Sequence, residues 1–110
     1  NRNCVCYTGT HDNDTALGWW SKATSHERLL FSRLAPDTGA PIPQRMITMA
    51  MRSRANTVII PLQDWLGLGT EHRMNTPGTK NGNWQWRMER EALNDELLAL
   101  MKRLSKRREN

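Results

Sequence analysis

Between positions 7 and 14 the chain reads Tyr7, Thr8, Gly9, Thr10, His11, Asp12, Asn13, Asp14, so a short apolar run breaks at a glycine and then presents a histidine and two carboxylates. A strand fixes its own backbone, and side chains just past its end are free of the ladder and can face a substrate, as in barrel enzymes. By residue type, His11, Asp12 and Asp14 allow acid–base work, metal binding, or hydrogen bonding to a polyhydroxylated ligand. The metal reading needs more oxygen or imidazole ligands than this loop offers, and the calcium-loop pattern is absent. A purely structural role stands beside these: Asp12 and Asp14 capping the next turn, with Asn13 left-handed. Glycosidic bond exchange suits a carboxylate beside a histidine, because its transition state places positive charge on the sugar ring. It also requires a nucleophile and a proton donor, and no second constellation for them is visible in the sequence.

The elements that must hold this loop follow from pattern. Residues 3–7 suit a short buried strand, and residues 8–14 form the loop after it. Ser25 can cap a helix over residues 26–34, with Leu29, Leu30 and Leu34 along one side and Pro36 to stop it. Residues 37–43 read as a loop. Pro43 opens a second helix reaching about Arg52, which buries Met46, Ile47, Met49 and Ala50. Thr57, Val58, Ile59 and Ile60 are all β-branched without polar alternation, which predicts a strand buried on both faces, as in a parallel sheet. Strand, helical connection and strand make a β-α-β crossover, and the fold class is α/β.

Beyond it, residues 70–83 form a polar loop too long to be idle in a compact domain. Trp84 and Trp86 alternate on a presumed strand, where they either pack under the fold or stack on sugars; packing is the expectation. A final helix is predicted from Glu91 to about Lys106, with Leu93, Leu97, Leu98, Leu100, Met101 and Leu104 on its core-facing stripe.

Composition narrows the class. With 110 residues, 37% hydrophobic, and a mean hydropathy of −0.74, the chain supports one cooperative unit with a modest core. No apolar run is long enough to span a membrane and no leader pattern precedes the first strand, so cytoplasmic residence is the expectation. The chain opens at Asn1 without a Met, close to a strand, and reads as a piece of something longer. Net charge is +5, yet the last nine residues hold five basic side chains and one acidic; the rest carries 11 basic against 10 acidic. A nucleic-acid face would spread its cations over the fold, whereas these suit a solvated helix end. Cys4 and Cys6 lie two apart on a presumed strand, with Cα atoms about 6.5 Å apart, which disfavours a disulfide and predicts two small buried hydrophobes.

Three blocks then carry a resemblance. YTGTHDNDT with LGWW at 7–20, SRANTVIIPLQDWLGLG at 53–69 and RMNTPGTKNGNWQWR at 73–87 resemble, in order and separation, signatures of the 4-alpha-glucanotransferases, also called amylomaltase or disproportionating enzyme. The resemblance implies that residues 1–110 are the carboxy-terminal segment of a (β/α)8 catalytic domain, contributing strands 7 and 8 with their helices. It implies a cofactor-free, metal-free transfer of alpha-1,4-glucan segments to the 4-hydroxyl of an acceptor by a retaining mechanism. Asp12 becomes the carboxylate that stabilises the transition state, and His11 binds the same ring. Gln63 and Asp64, past the second strand, either touch ligand or support neighbouring loops. Asn75 lies in the glucan-lining segment, with a turn-forming role ahead of Pro77 as its alternative. The nucleophile Asp and the acid–base Glu of the family belong to earlier strands, so this chain alone is expected to be inactive. Its expected partners are alpha-1,4-glucans and the remainder of the barrel, with no nucleic acid and no membrane. The competing functions are a free-standing carbohydrate-binding unit using the tryptophans and a nucleic-acid-binding module using the basic tail.

Overall fold

The computed structural model describes residues 3–10, 12–35 and 39–106. Strand β1 (Val5–Tyr7) leads into helices α1 (Ala16–Lys22), α2 (Ser25–Leu34) and α3 (Ile42–Met51), and the chain returns as β2 (Thr57–Ile59). The strands pair in parallel with Val5 opposite Thr57, Cys6 opposite Val58 and Tyr7 opposite Ile59, which is the crossover expected from the sequence. A short helix α4 (Leu62–Trp65), two 3-10 turns (Thr70–His72 and Arg90–Ala92) and helix α5 (Asp95–Ser105) follow. This is a small α/β unit.

Caps decide where the helices start. Helix α1 was not foreseen: Thr15 is its N-cap, accepting from the Gly18 amide at 3.1 Å. Helix α2 is capped by Thr24 rather than Ser25, because only from position 24 does Glu27 fall at N3. The Glu27 carboxylate accepts from the Thr24 amide at 2.9 Å, and Thr24 Oγ1 accepts from the Glu27 amide at 3.1 Å. Helix α5 begins at Asp95 instead of Glu91, since Asn94 accepts from the Leu97 amide at 2.9 Å and the preceding residues turn as a 3-10 helix.

The core is centred on α3, which packs against α1, α4 and α5. Ile47 is fully buried, and Phe31, Ala35, Ala50, Met51, Ala55 and Leu97 surround the same interior. Phe31 carries α2 into it, meeting Trp19 and Trp20 with ring centroids 6.0 and 5.4 Å away, while the Arg28 guanidinium lies 5.0 Å over Trp20.

Several expected burials are overturned. Leu29, Leu30 and Leu34 are exposed, because Phe31 is the α2 residue turned toward α1 and α3; Leu93, Leu98 and Met49 are exposed too, and Met46 is only half-buried. Both strands show exposed, half-buried, exposed side chains, so neither is covered on two faces. The sheet holds two strands among the described residues, and its helices cannot enclose both sides. For the same reason Cys4 is exposed and Cys6 half-buried rather than packed; both are thiols. No strand forms at Trp84 and Trp86: Trp84 has φ 61°, outside the extended region, and is 54% exposed. No helix among the described residues is long and apolar enough to cross a membrane.

Candidate active site

The loop leaving β1 is tied down at both ends by one carboxylate from α4. Asp64 is 2% exposed; its Oδ2 accepts from the Thr8 hydroxyl at 2.6 Å and its Oδ1 from the Ala16 amide at 2.8 Å. Between these anchors the chain makes a turn. The Asn13 amide donates to the Thr10 carbonyl at 3.0 Å, while Asn13 Oδ1 accepts from the Thr10 amide at 2.7 Å and hydroxyl at 2.9 Å. Asn13 achieves this without a left-handed backbone, since Trp84 is the only non-glycine at positive φ among the described residues. Asp12 is thereby held near the tip, exposed.

Asp14 does not cap α1, a role taken by Thr15, but binds its neighbours instead. Its Oδ1 accepts from the Thr15 amide at 2.8 Å; its Oδ2 accepts from Thr70 Oγ1 at 3.0 Å and Lys22 Nζ at 3.3 Å. The approach is so close that a β-carbon at Gly18 would collide with Asp14 Oδ1 and Thr70 Oγ1. This contact brings the long loop over the β1 loop.

The long loop is internally organised. The Trp84 amide donates to the Met74 carbonyl at 2.6 Å, and Asn83 Oδ1 accepts from the Thr76 amide at 2.8 Å, closing residues 74–84 on themselves. Trp86 is half-buried and donates its indole N–H to His72 Nδ1 at 3.0 Å; Gln63, buried beneath, donates to the His72 carbonyl at 3.2 Å. From this loop Asn75 Nδ2 donates to Asp12 Oδ1 at 2.8 Å. Asn75 therefore spans two loops separated by 63 positions in sequence rather than merely shaping a turn before Pro77.

The two loops enclose a cavity of about 660 Å³ whose wall includes Asp12, Gln63, Asp64, Arg73, Met74 and Trp84. Of the residues singled out in sequence, Asp12, Gln63 and Asp64 thus meet at one cavity, and Asn75 reaches it through Asp12. His11 lies outside the described residues. Gln63 and Asp64 already hold the scaffold with their polar atoms. Arg73 and Trp84 also line the cavity: Arg73 opens the segment that by resemblance lines the glucan, and Trp84, for which core packing was the expectation, stands at the cavity instead. Among the described residues no three His, Cys, Asp or Glu side chains gather as a metal site.

A parallel strand pair with carboxylates and amides collected past the strand ends, beside a cavity, makes this an α/β segment with a candidate active site at the strand ends. The chain belongs to the 4-alpha-glucanotransferase family, whose model matches residues 1–94. The 4-alpha-glucanotransferase of Thermus thermophilus is 46% identical over 90 residues, covering 76% of this chain and 18% of its own length. That of Clostridium butyricum is 38% identical over 109 residues, covering 96% of this chain and 22% of its own. Among solved structures, amylomaltase from Streptococcus agalactiae in complex with acarbose superposes with a TM-score of 0.93 at 30% identity, over 100% of this chain and 22% of that one. The chain spans about a fifth of the length of these relatives.

Proposed function

We propose that residues 1–110 form the carboxy-terminal segment of a (β/α)8 catalytic domain, with β1 and β2 as its seventh and eighth strands. In the intact enzyme, an alpha-1,4-glucan is cleaved, its glycosyl part held covalently by a carboxylate from an earlier strand, and then passed to the 4-hydroxyl of an acceptor glucan. Two displacements at the same carbon retain its configuration, and no cofactor takes part. Asp12 supplies negative charge and hydrogen-bond acceptance where the sugar ring becomes cationic, an interaction that strengthens toward the transition state. His11 beside it and Asn75 across the cavity bind ring hydroxyls, while Gln63 and Asp64 contribute chiefly by holding the two loops. The enzyme is cytoplasmic and its partners are alpha-1,4-glucans.

The observation that carries this reading is the Asn75–Asp12 hydrogen bond at 2.8 Å on a cavity wall, in a chain of this family. It keeps a carboxylate oriented on a strand-exit loop at the wall of that cavity. The test joins this segment to the matching remainder of the Thermus thermophilus enzyme and follows maltotriose. The assembled enzyme should yield glucose and a ladder of longer maltooligosaccharides. Asp12→Asn, which keeps shape but loses charge, should reduce turnover at least about 10²-fold, the size of effect seen when an electrostatic stabiliser is removed. Unchanged turnover in that variant would end the proposal.

A further inference from the structure

Arg73 is one of the side chains through which the long loop grips the β1 loop, beside Asn75 and Thr70. Its Nε donates to the Asn75 carbonyl at 3.0 Å, its Nη2 donates to the Asp12 carbonyl at 3.1 Å, and its Nη1 stands 4.0 Å from Asp14 Oδ2. The side chain is 17% exposed, so these bonds form largely out of water and favour one arrangement over its alternatives. Asn75, whose backbone is fixed by Nε, returns its amide to the Asp12 carboxylate at 2.8 Å. The guanidinium thus holds the backbone of Asp12 directly and its carboxylate through Asn75, while Asp14, itself held by Thr70, faces its third nitrogen.

We infer that Arg73 is a positioning residue for Asp12, setting both the main chain and the carboxylate of that residue in register with the cavity; this rests on the role proposed for Asp12. A planar fork with donors on separate nitrogens holds two main-chain carbonyls in a fixed relative geometry, which a lysine ammonium, a single point of charge on a flexible stem, does not impose. The competing idea is that Arg73, which also lines the cavity, binds substrate itself. Two facts weigh against it. Nε and Nη2 are already engaged by the backbone carbonyls of Asn75 and Asp12. A guanidinium pressed against a sugar that is becoming cationic would oppose the charge that Asp12 stabilises, whereas Asp14 beside Nη1 offsets it.

The test uses the assembled enzyme described above, with Arg73→Lys and Arg73→Ala made alone and in combination with Asp12→Asn. Each Arg73 variant should lower kcat with maltotriose by about 10²-fold, as a misplacement near 1 Å does, while KM changes by less than about twofold. In the Asp12→Asn background the same substitutions should change kcat by less than about twofold, because residues acting as a unit are not additive. A rise in KM with kcat intact, or a full second loss on top of Asp12→Asn, would overturn the inference in favour of direct substrate binding. If Arg73→Ala does not fold, Arg73→Lys carries the comparison. A crystal structure of Arg73→Lys separates the two layers. An Asp12 carboxylate released from Asn75, in an enzyme whose turnover does not depend on Asp12, would refute the catalytic reading and leave the clamp standing; an unmoved Asp12 would refute the clamp.

Discussion

Asp64 and Thr8 lie 56 positions apart, yet the Thr8 hydroxyl donates to Asp64 Oδ2 at 2.6 Å while the other carboxylate oxygen takes the Ala16 amide. One buried side chain on α4 therefore fixes where the β1 loop departs and where α1 begins. Asp64→Asn keeps an oxygen for one donor but sets an NH2 group against the other. We expect the change to cost about 2–3 kcal/mol, in the range for hydrogen bonds to a charged group. Hydrogen exchange over residues 8–16 of the assembled enzyme should speed up accordingly; unchanged protection there would contradict a structural role for Asp64.

The packing at Gly18 gives a second expectation. A methyl group on Gly18 would run into Asp14 Oδ1, which already accepts from the Thr15 amide, and Thr70 Oγ1, which already donates to Asp14 Oδ2. Gly18→Ala should therefore destabilise by about 1–3 kcal/mol despite the better helix propensity of alanine. Adding Thr70→Ala removes one of the clashing atoms, so the double variant should lose less than the sum of the singles. Simple additivity of the thermal midpoints would refute this account.

Acid should loosen the start of α2. Hydrogen bonds from the Thr24 backbone amide and then its side chain hold the Glu27 carboxyl below its ordinary value of 4.5. A depressed carboxyl contributes stability that is fully present above the unfolded-state value and is lost as pH falls through the folded one. The capping contribution should thus persist at neutral pH and fade below about 4.5, and Thr24→Ala, which removes the side-chain bond but keeps the backbone donor, should move the Glu27 titration only part of the way back to its ordinary position. A carbon-detected NMR titration of Glu27 reads this directly. No change in midpoint between Thr24→Ala and the parent would exclude the Thr24 side chain as a cause of the shift.

By itself the chain should self-associate. Val5, Tyr7 and Ile59 are 44, 49 and 46% exposed on a sheet that has two strands, each with an unpaired edge, among the described residues. Sedimentation should show mass increasing with concentration. A monomer with a sharp, concentration-independent thermal transition would be the contrary result.

How far the sequence could be read varies by element. Val58 and Ile59 gave away the second strand because four successive β-branched residues leave few other conformations, and the crossover followed. Helix α1 escaped notice because its seven residues include Gly18, Trp19 and Trp20, which make poor helix formers; Thr15 and the neighbouring Asp64 stabilise what propensity does not. Periodicity also misled: it grouped Leu29, Leu30 and Leu34, yet Phe31 is the residue that meets α1 and α3.

The sequence by itself determined the parallel β-α-β order, the family, and the placing of Asp12 just past a strand, because these rest on local backbone preference and on the identity of contiguous blocks. Tertiary structure alone decided that Asn75 and Arg73 reach Asp12, that Asp64 faces inward to Thr8 and Ala16, and that Trp84 lines a cavity rather than a core. Each of those is a meeting of side chains dozens of positions apart. Such meetings are set by how two loops close over the same strand ends, and no spacing along the chain encodes that distance.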